Sequence, residues 1–207
     1  MPSNSSDAYT LATSISVDGL MRPRFNSAGA AISDTDEELL KFWKWFGDSA
    51  MIDAEHRPLV FYHGTNLQFE TFDPNLAGSN YPDSIGGFFF TSDLEAAQEY
   101  AEDTACERGG DPVVFSAYLN IEHPFVSEIE HGNPDRYYDR NSARILNQAL
   151  DNECDGVVIK STYRPETIQD TIVAFLPEQI ASTQHYATLK QNLTTEPRDS
   201  GHRNRLR

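Results

Sequence analysis

The chain has 207 residues, with 32 Asp and Glu against 16 Lys and Arg for a formal net charge of −16, enough for one full-core domain and marginal for two. Such acidity excludes a general phosphate-backbone binder, because nucleic-acid affinity comes mainly from Lys and Arg neutralising phosphates. Cys106 and Cys154 stand far apart, supporting neither a zinc site nor a disulfide framework, and no apolar run approaches the roughly 18 residues of a membrane helix.

Residues 1–33 are rich in Ser, Asn, Ala and Gly without sustained periodicity, which predicts a disordered leader. Asp34-Thr-Asp-Glu-Glu-Leu-Leu-Lys-Phe-Trp-Lys-Trp-Phe46 predicts an amphipathic helix. Asp34, Thr35 or Asp36 would cap it, acidic residues fill its first turn, and Gly47 follows its end. Leu39, Phe42, Trp43 and Phe46 recur at helical spacing as one apolar face, expected to dock on the core rather than on a partner. Leu59-Val-Phe-Tyr-His-Gly-Thr65 then reads as a short buried strand, ending where backbone can approach a ligand. The turn-rich stretch from Asp73 to Gly87 is expected beside that strand end, as a lid or substrate loop.

Gly86-Gly-Phe-Phe-Phe-Thr91 predicts a second strand that leads into a helix over Asp93–Asp103. Ser92 or Asp93 caps this helix, and Tyr100 lies two turns in. A long strand follows from Val113 to Ile121, ended by Glu122-His-Pro124. Arg136–Ala149 becomes amphipathic and predicts another helix. Asp155-Gly156 is a turn feeding a strand over Val157–Ile159, a polar loop spans Lys160–Asp170, and Thr171-Ile-Val-Ala-Phe175 is the last clear strand. The folded unit is expected over residues 34–185, with 186–207 a flexible, mildly basic tail. About five or six strands and three or four helices in mixed order indicate the α+β class.

His63 is the best single candidate for chemistry. A strand-end His followed by Gly and a hydroxyl residue offers a ring nitrogen, a closely approachable backbone and a second polar group. His123, before Pro124 at a strand end, reads as structural, and His131, His185 and His202 lie in loop or tail sequence, so no shared metal site is expected. The acidic excess, including Glu102-Asp103 and Asp151–Asp155, reads as solvated surface.

These motifs in this order resemble the ADP-ribosyltransferase superfamily, in its diphtheria-toxin/poly(ADP-ribose)-polymerase-like branch, and most of all the small domains of phage polyvalent proteins and bacterial effectors. The likeness spans residues 38–183. It rests on Phe42-Trp-Lys-Trp-Phe-Gly-Asp-Ser49, Pro58-Leu-Val-Phe-Tyr-His-Gly-Thr65, Gly87-Phe-Phe-Phe-Thr91, Ala97-Gln-Glu-Tyr-Ala101, Asp155-Gly-Val-Val-Ile159 and Ile172-Val-Ala-Phe-Leu-Pro-Glu-Gln-Ile180. It implies a split β-sheet core with peripheral helices and NAD as substrate, with no metal. His63 would bond a ribose hydroxyl, Gly64 would meet the nicotinamide carboxamide with its backbone, and Thr65 would support the ribose contact. Phe89, where the family usually has Tyr, and Tyr100 would sandwich the nicotinamide ring; Phe keeps the stacking face and loses a hydroxyl. Phe90 and Thr171 complete the expected NAD-binding set.

The catalytic set implied by the resemblance is His63, Tyr100 and a carboxylate. That carboxylate stabilises the positive charge that builds on the ribose as its bond to nicotinamide breaks. Aligned on the last strand, Thr171 stands where the family has Glu. Asp170 is adjacent, on the opposite face unless the strand begins with a bulge; Glu166, Gln169 and Gln179 are further options. The expectation is a mono-ADP-ribosyltransferase acting on a protein rather than on nucleic acid or a membrane, in the cytoplasm or delivered into a host cytosol as an effector, toxin or phage-encoded modifier. Two rivals share the fold: an inactive NAD- or partner-binding module, and an RNA-directed relative such as a 2′-phosphotransferase, which would want a basic cleft.

Overall fold

A computed structural model describes residues 13–78, 86–129, 144–161 and 170–183. The predicted tail, Glu166, Gln169, the loop residues 79–85 and the start of the helix expected from Arg136 lie outside the described residues.

The first sheet element among the described residues is a two-stranded hairpin, within the stretch where disorder was expected. β1 (Ser14–Val17) pairs antiparallel with β2 (Leu20–Pro23). Its turn is Asp18-Gly19, both residues at positive φ (49° and 87°), the tight connection that Asp-Gly favours. Val17 and Ile32 are buried in the main core, so residues 14–33 are a structural part of the domain and the leader expectation is corrected there.

The first helix, α1 (Asp36–Phe46), starts at Thr35, whose side chain accepts from Glu38 N at 3.3 Å, and ends at Gly47 at φ 57°. Leu39, Trp43 and Phe46 are fully buried, and Phe42 packs partly buried beside them, so the predicted apolar face docks on the core. Trp43 Nε1 donates to Pro23 O at 3.0 Å, tying hairpin to helix without leaving the indole unsatisfied. Removing the Thr35 cap orphans a backbone donor. Thr35→Ala is therefore expected to lower stability by about 1 kcal/mol, read as a shifted denaturant midpoint at unchanged slope.

Seven strands form one mixed sheet in the order β6-β7-β8-β4-β3-β5-β9. These are β3 (Phe61–Thr65), β4 (Phe88–Thr91), β5 (Val113–Leu119), β6 (Pro124–Ile129), β7 (Gly156–Ser161), β8 (Asp170–Ala174) and β9 (Ile180–Ser182). Only β6 and β7 run parallel, and residues 144–151, which are helical (α3), lie in their connection. The second helix, α2 (Leu94–Arg108), is capped by Asp93, whose carboxylate accepts from Glu95 N and Ala96 N. Pro124, expected to end a strand, opens one instead. β6 is an edge strand, where a first-residue proline has no ladder bond to lose.

Alternation along the strands sorts the side chains onto two faces. Phe61, Phe88, Phe90, Ala117, Val158 and Ile172 pack with α1 in the largest core cluster. On the other face α2 and α3 cover separate clusters: Tyr62 and Val114 lie with Ala97 and Ala101, while Phe89, Val157, Ile159 and Val173 lie with Ile145, Leu146 and Ala149.

Candidate functional site

β3 pairs with β5 along all five of its residues but with β4 at one position, Tyr62↔Thr91. The β4-facing edge of β3 beyond Tyr62 therefore has no further ladder pair, and the sheet splits at His63-Gly64-Thr65. His63 bridges the split with its side chain: Nδ1 lies 2.7 Å from Phe89 O. A carbonyl oxygen only accepts, so Nδ1 carries the proton and donates, and the neutral ring keeps Nε2 as a bare acceptor. The imidazole sits on the α1 face among the rings of Phe72, Phe90, Phe69 and Phe115, at centroid distances of 5.3, 5.6, 6.4 and 6.5 Å. This burial holds the His63 pKa below the ordinary imidazole range, the bond to Phe89 opposing it. Phe69 and Phe72 come from the segment after β3. Their spacing of three was visible in the sequence, but nothing local assigned them to the His63 ring.

Gly64 faces the other way, against α2. A methyl group there would lie 2.1 Å from Ala97 O and 3.1 Å from Ala101 N, so backbone meets backbone at the strand end. Thr65, half-buried, follows on the His63 face. α2 presents Ala97, Ala101 and Thr104 to the sheet, and Tyr100 at the margin of that buried stripe stays 39% exposed. Phe89 points to the same side of the sheet as Gly64, half-buried against the α3 cluster. Thr171, paired with Thr91, shares that side. The strip of Phe89, Thr91 and Thr171 thus lies between two helix-covered clusters, with Gly64 and Tyr100 toward its α2 side. Phe90 is on the opposite face, 2% exposed and stacked into the core beside His63.

Asp170 is also on the α1 face. It stands opposite Lys160 in the ladder and shares a side with Ile172, so alternation separates it from Thr171 without a bulge. Its backbone N donates to Ser92 Oγ at 3.3 Å, and burial pushes its carboxyl pKa up while Lys160 opposes the shift. Its Oδ1 is buried with no hydrogen-bond partner among the described residues. Gln179, an alternative for the third position, is a structural clasp. Its Oε1 accepts from Phe175 N and Leu176 N, and its Nε2 donates to Asn120 O and Asp155 O, tying the turn after β8 to the ends of β5 and β7.

A family model described as ADP-ribosyltransferase in polyvalent proteins matches residues 53–188, more than half of the chain. No curated protein matches it. The matched span contains both sides of the split, α2 and the last strands. Among the described residues no group of three His, Cys, Asp or Glu is placed to hold a metal ion, and no helix is long and apolar enough to cross a membrane.

Proposed function

The chain belongs to the ADP-ribosyltransferases of polyvalent proteins, and we propose that it binds NAD at the split beside His63 and Gly64 and transfers one ADP-ribose to a protein side chain. Domains of this family use NAD as substrate. The observation that carries the reading is the single Tyr62↔Thr91 pair, which leaves the end of β3 without a ladder partner on its β4 side. An edge of that kind suits a ligand carboxamide, which both donates and accepts. Phe89 and Tyr100 supply aromatic surface on the Gly64 side, and Nε2 of His63 accepts from a ribose hydroxyl. In the transfer the bond from ribose C1′ to the nicotinamide nitrogen breaks, and its electron pair stays on that nitrogen. The acceptor's lone pair forms the new bond at C1′, and the acceptor proton leaves to solvent. The charge of −16 favours a basic protein surface as acceptor over nucleic acid. The site of action is the cytosol of the cell that makes the protein or receives it.

A second reading, a module that binds NAD or a partner without turnover, is favoured by the placement of Asp170 across the sheet from Thr171. Nicotinamide release and label transfer from NAD decide between them, with lysate proteins as acceptors. The transferase gives labelled protein that His63→Ala abolishes. A loss of about a hundred-fold in Asp170→Asn, the usual scale for a charge-stabilising group, would assign the carboxylate to Asp170. An unchanged rate moves attention to Thr171. Bound NAD with neither release nor label in any lysate selects the binding module.

A further inference from the structure

The α1 face holds a cleft of about 640 Å³, away from the strip of Phe89, Thr91 and Thr171. Its floor is the apolar strip of Val126, Val158 and Ile172 across β6, β7 and β8, and the segment joining α1 to β3 contributes Met51 and Leu59. Ser27, Tyr62, Ser92, Lys160 and Asp170 are its polar lining residues, and of these Lys160 and Asp170 are the charged ones. The buried Asp170 Oδ1 without a partner is the anomaly, because a carboxylate oxygen withdrawn from water normally accepts a hydrogen bond. Lys160 stands directly opposite in the ladder, yet no ion pair joins the two among the described residues.

We propose that this cleft is a second small-molecule site, and that it takes an uncharged, mainly apolar ligand whose polar head is a primary carboxamide. The floor sets the apolar body. The two charged residues set the head. The ionised Asp170 only accepts and Lys160 only donates, and directly opposed residues in an antiparallel ladder lie about 5 Å apart at Cα. An ammonium head would satisfy Asp170 and be repelled by Lys160; a carboxylate head would suffer the reverse. A carboxamide places its N–H on Asp170 Oδ1 and its carbonyl oxygen toward the Lys160 ammonium. Ser92 Oγ already accepts from Asp170 N, and its proton is available as a further donor to that oxygen. The cleft shares Asp170 with the transferase reading, as its candidate carboxylate, so the test below reads binding and not turnover.

The test is methyl NMR on the full chain titrated with cyclohexanecarboxamide, with cyclohexanecarboxylate and cyclohexylmethylamine as charged counterparts. The expected result is saturable shifts of the Val126, Val158 and Ile172 methyls, with both counterparts at least about five-fold weaker. Asp170→Ala should weaken the carboxamide about ten-fold, the scale of a lost hydrogen bond to a charged group. The Val157 and Val173 methyls on the opposite face report whether that variant keeps its sheet. Lys160→Met, at an exposed position, is a second variant that removes the repulsion, and it should bring the amine level with the amide. Absence of saturable shifts at the three floor methyls, equal affinity for all three heads, or unchanged affinity in a folded Asp170→Ala would each overturn the proposal.

Discussion

Replacing Gly64 with alanine is expected to cost about 3 kcal/mol of stability and to abolish NAD-dependent activity in the same step. The added methyl would sit 2.1 Å from Ala97 O, and that oxygen is backbone, so no rotamer change relieves the contact. Either β3 or α2 has to move. α2 packs on β3 and β5 through the small side chains of Ala97 and Ala101, a surface with little slack. Tyr100 would move with the helix. Because the obstacle is a carbonyl, shortening a neighbour does not help, and Gly64→Ala combined with Ala97→Gly should be no more stable than Gly64→Ala alone. Thermal and denaturant unfolding of the three proteins check this. A Gly64→Ala variant as stable as the wild type would mean that α2 does not lie on the strand end as described.

The same glycine shows what the sequence could and could not convey. His-Gly-Thr at the end of an apolar run was legible as a strand end, because strand propensity and the loss of pattern are local signals. α1 was legible for the same reason: its cap, acidic first turn and Leu39–Phe46 spacing lie within a dozen neighbouring residues. The contact between Gly64 and Ala97 joins two elements and has no local trace. The same holds for the phenylalanines around His63, which come from β4, β5 and the segment after β3. The hairpin of β1 and β2 is a different case. Its Asp18-Gly19 turn is present in the sequence, but one turn dipeptide in a polar stretch is a weak local signal for a hairpin. Asp170 was half-legible, since alternation alone put it on the face away from Thr171, and the ladder with Lys160 places it there. Gln179 was not, because a clasp is defined by partners from three other segments.

His63→Asn is expected to keep the fold and lower NAD-dependent transfer at least about ten-fold, the scale of one lost hydrogen bond at a buried site. The asparagine amide can take over the donation that Nδ1 makes to Phe89 O, so the split keeps its bridge. What it lacks is an acceptor at the position of Nε2. Acid should do the same to the wild type, since a protonated ring carries N–H at both nitrogens and can no longer accept from a ribose hydroxyl. Burial lowers the folded pKa, so activity should persist below the ordinary histidine value of about 6.5 and fall on further acidification. Stability follows the same sign. Between the depressed folded pKa and the ordinary unfolded one, the unfolded chain binds more protons, so stability rises with pH across that window and is lost as pH falls through it. Both acid limbs should be absent in His63→Asn. A variant that loses transfer but keeps the acid limb of the stability profile would locate the titrating group elsewhere. One that keeps both transfer and acid sensitivity would remove His63 from the reaction and leave it a core histidine in a cage of phenylalanines.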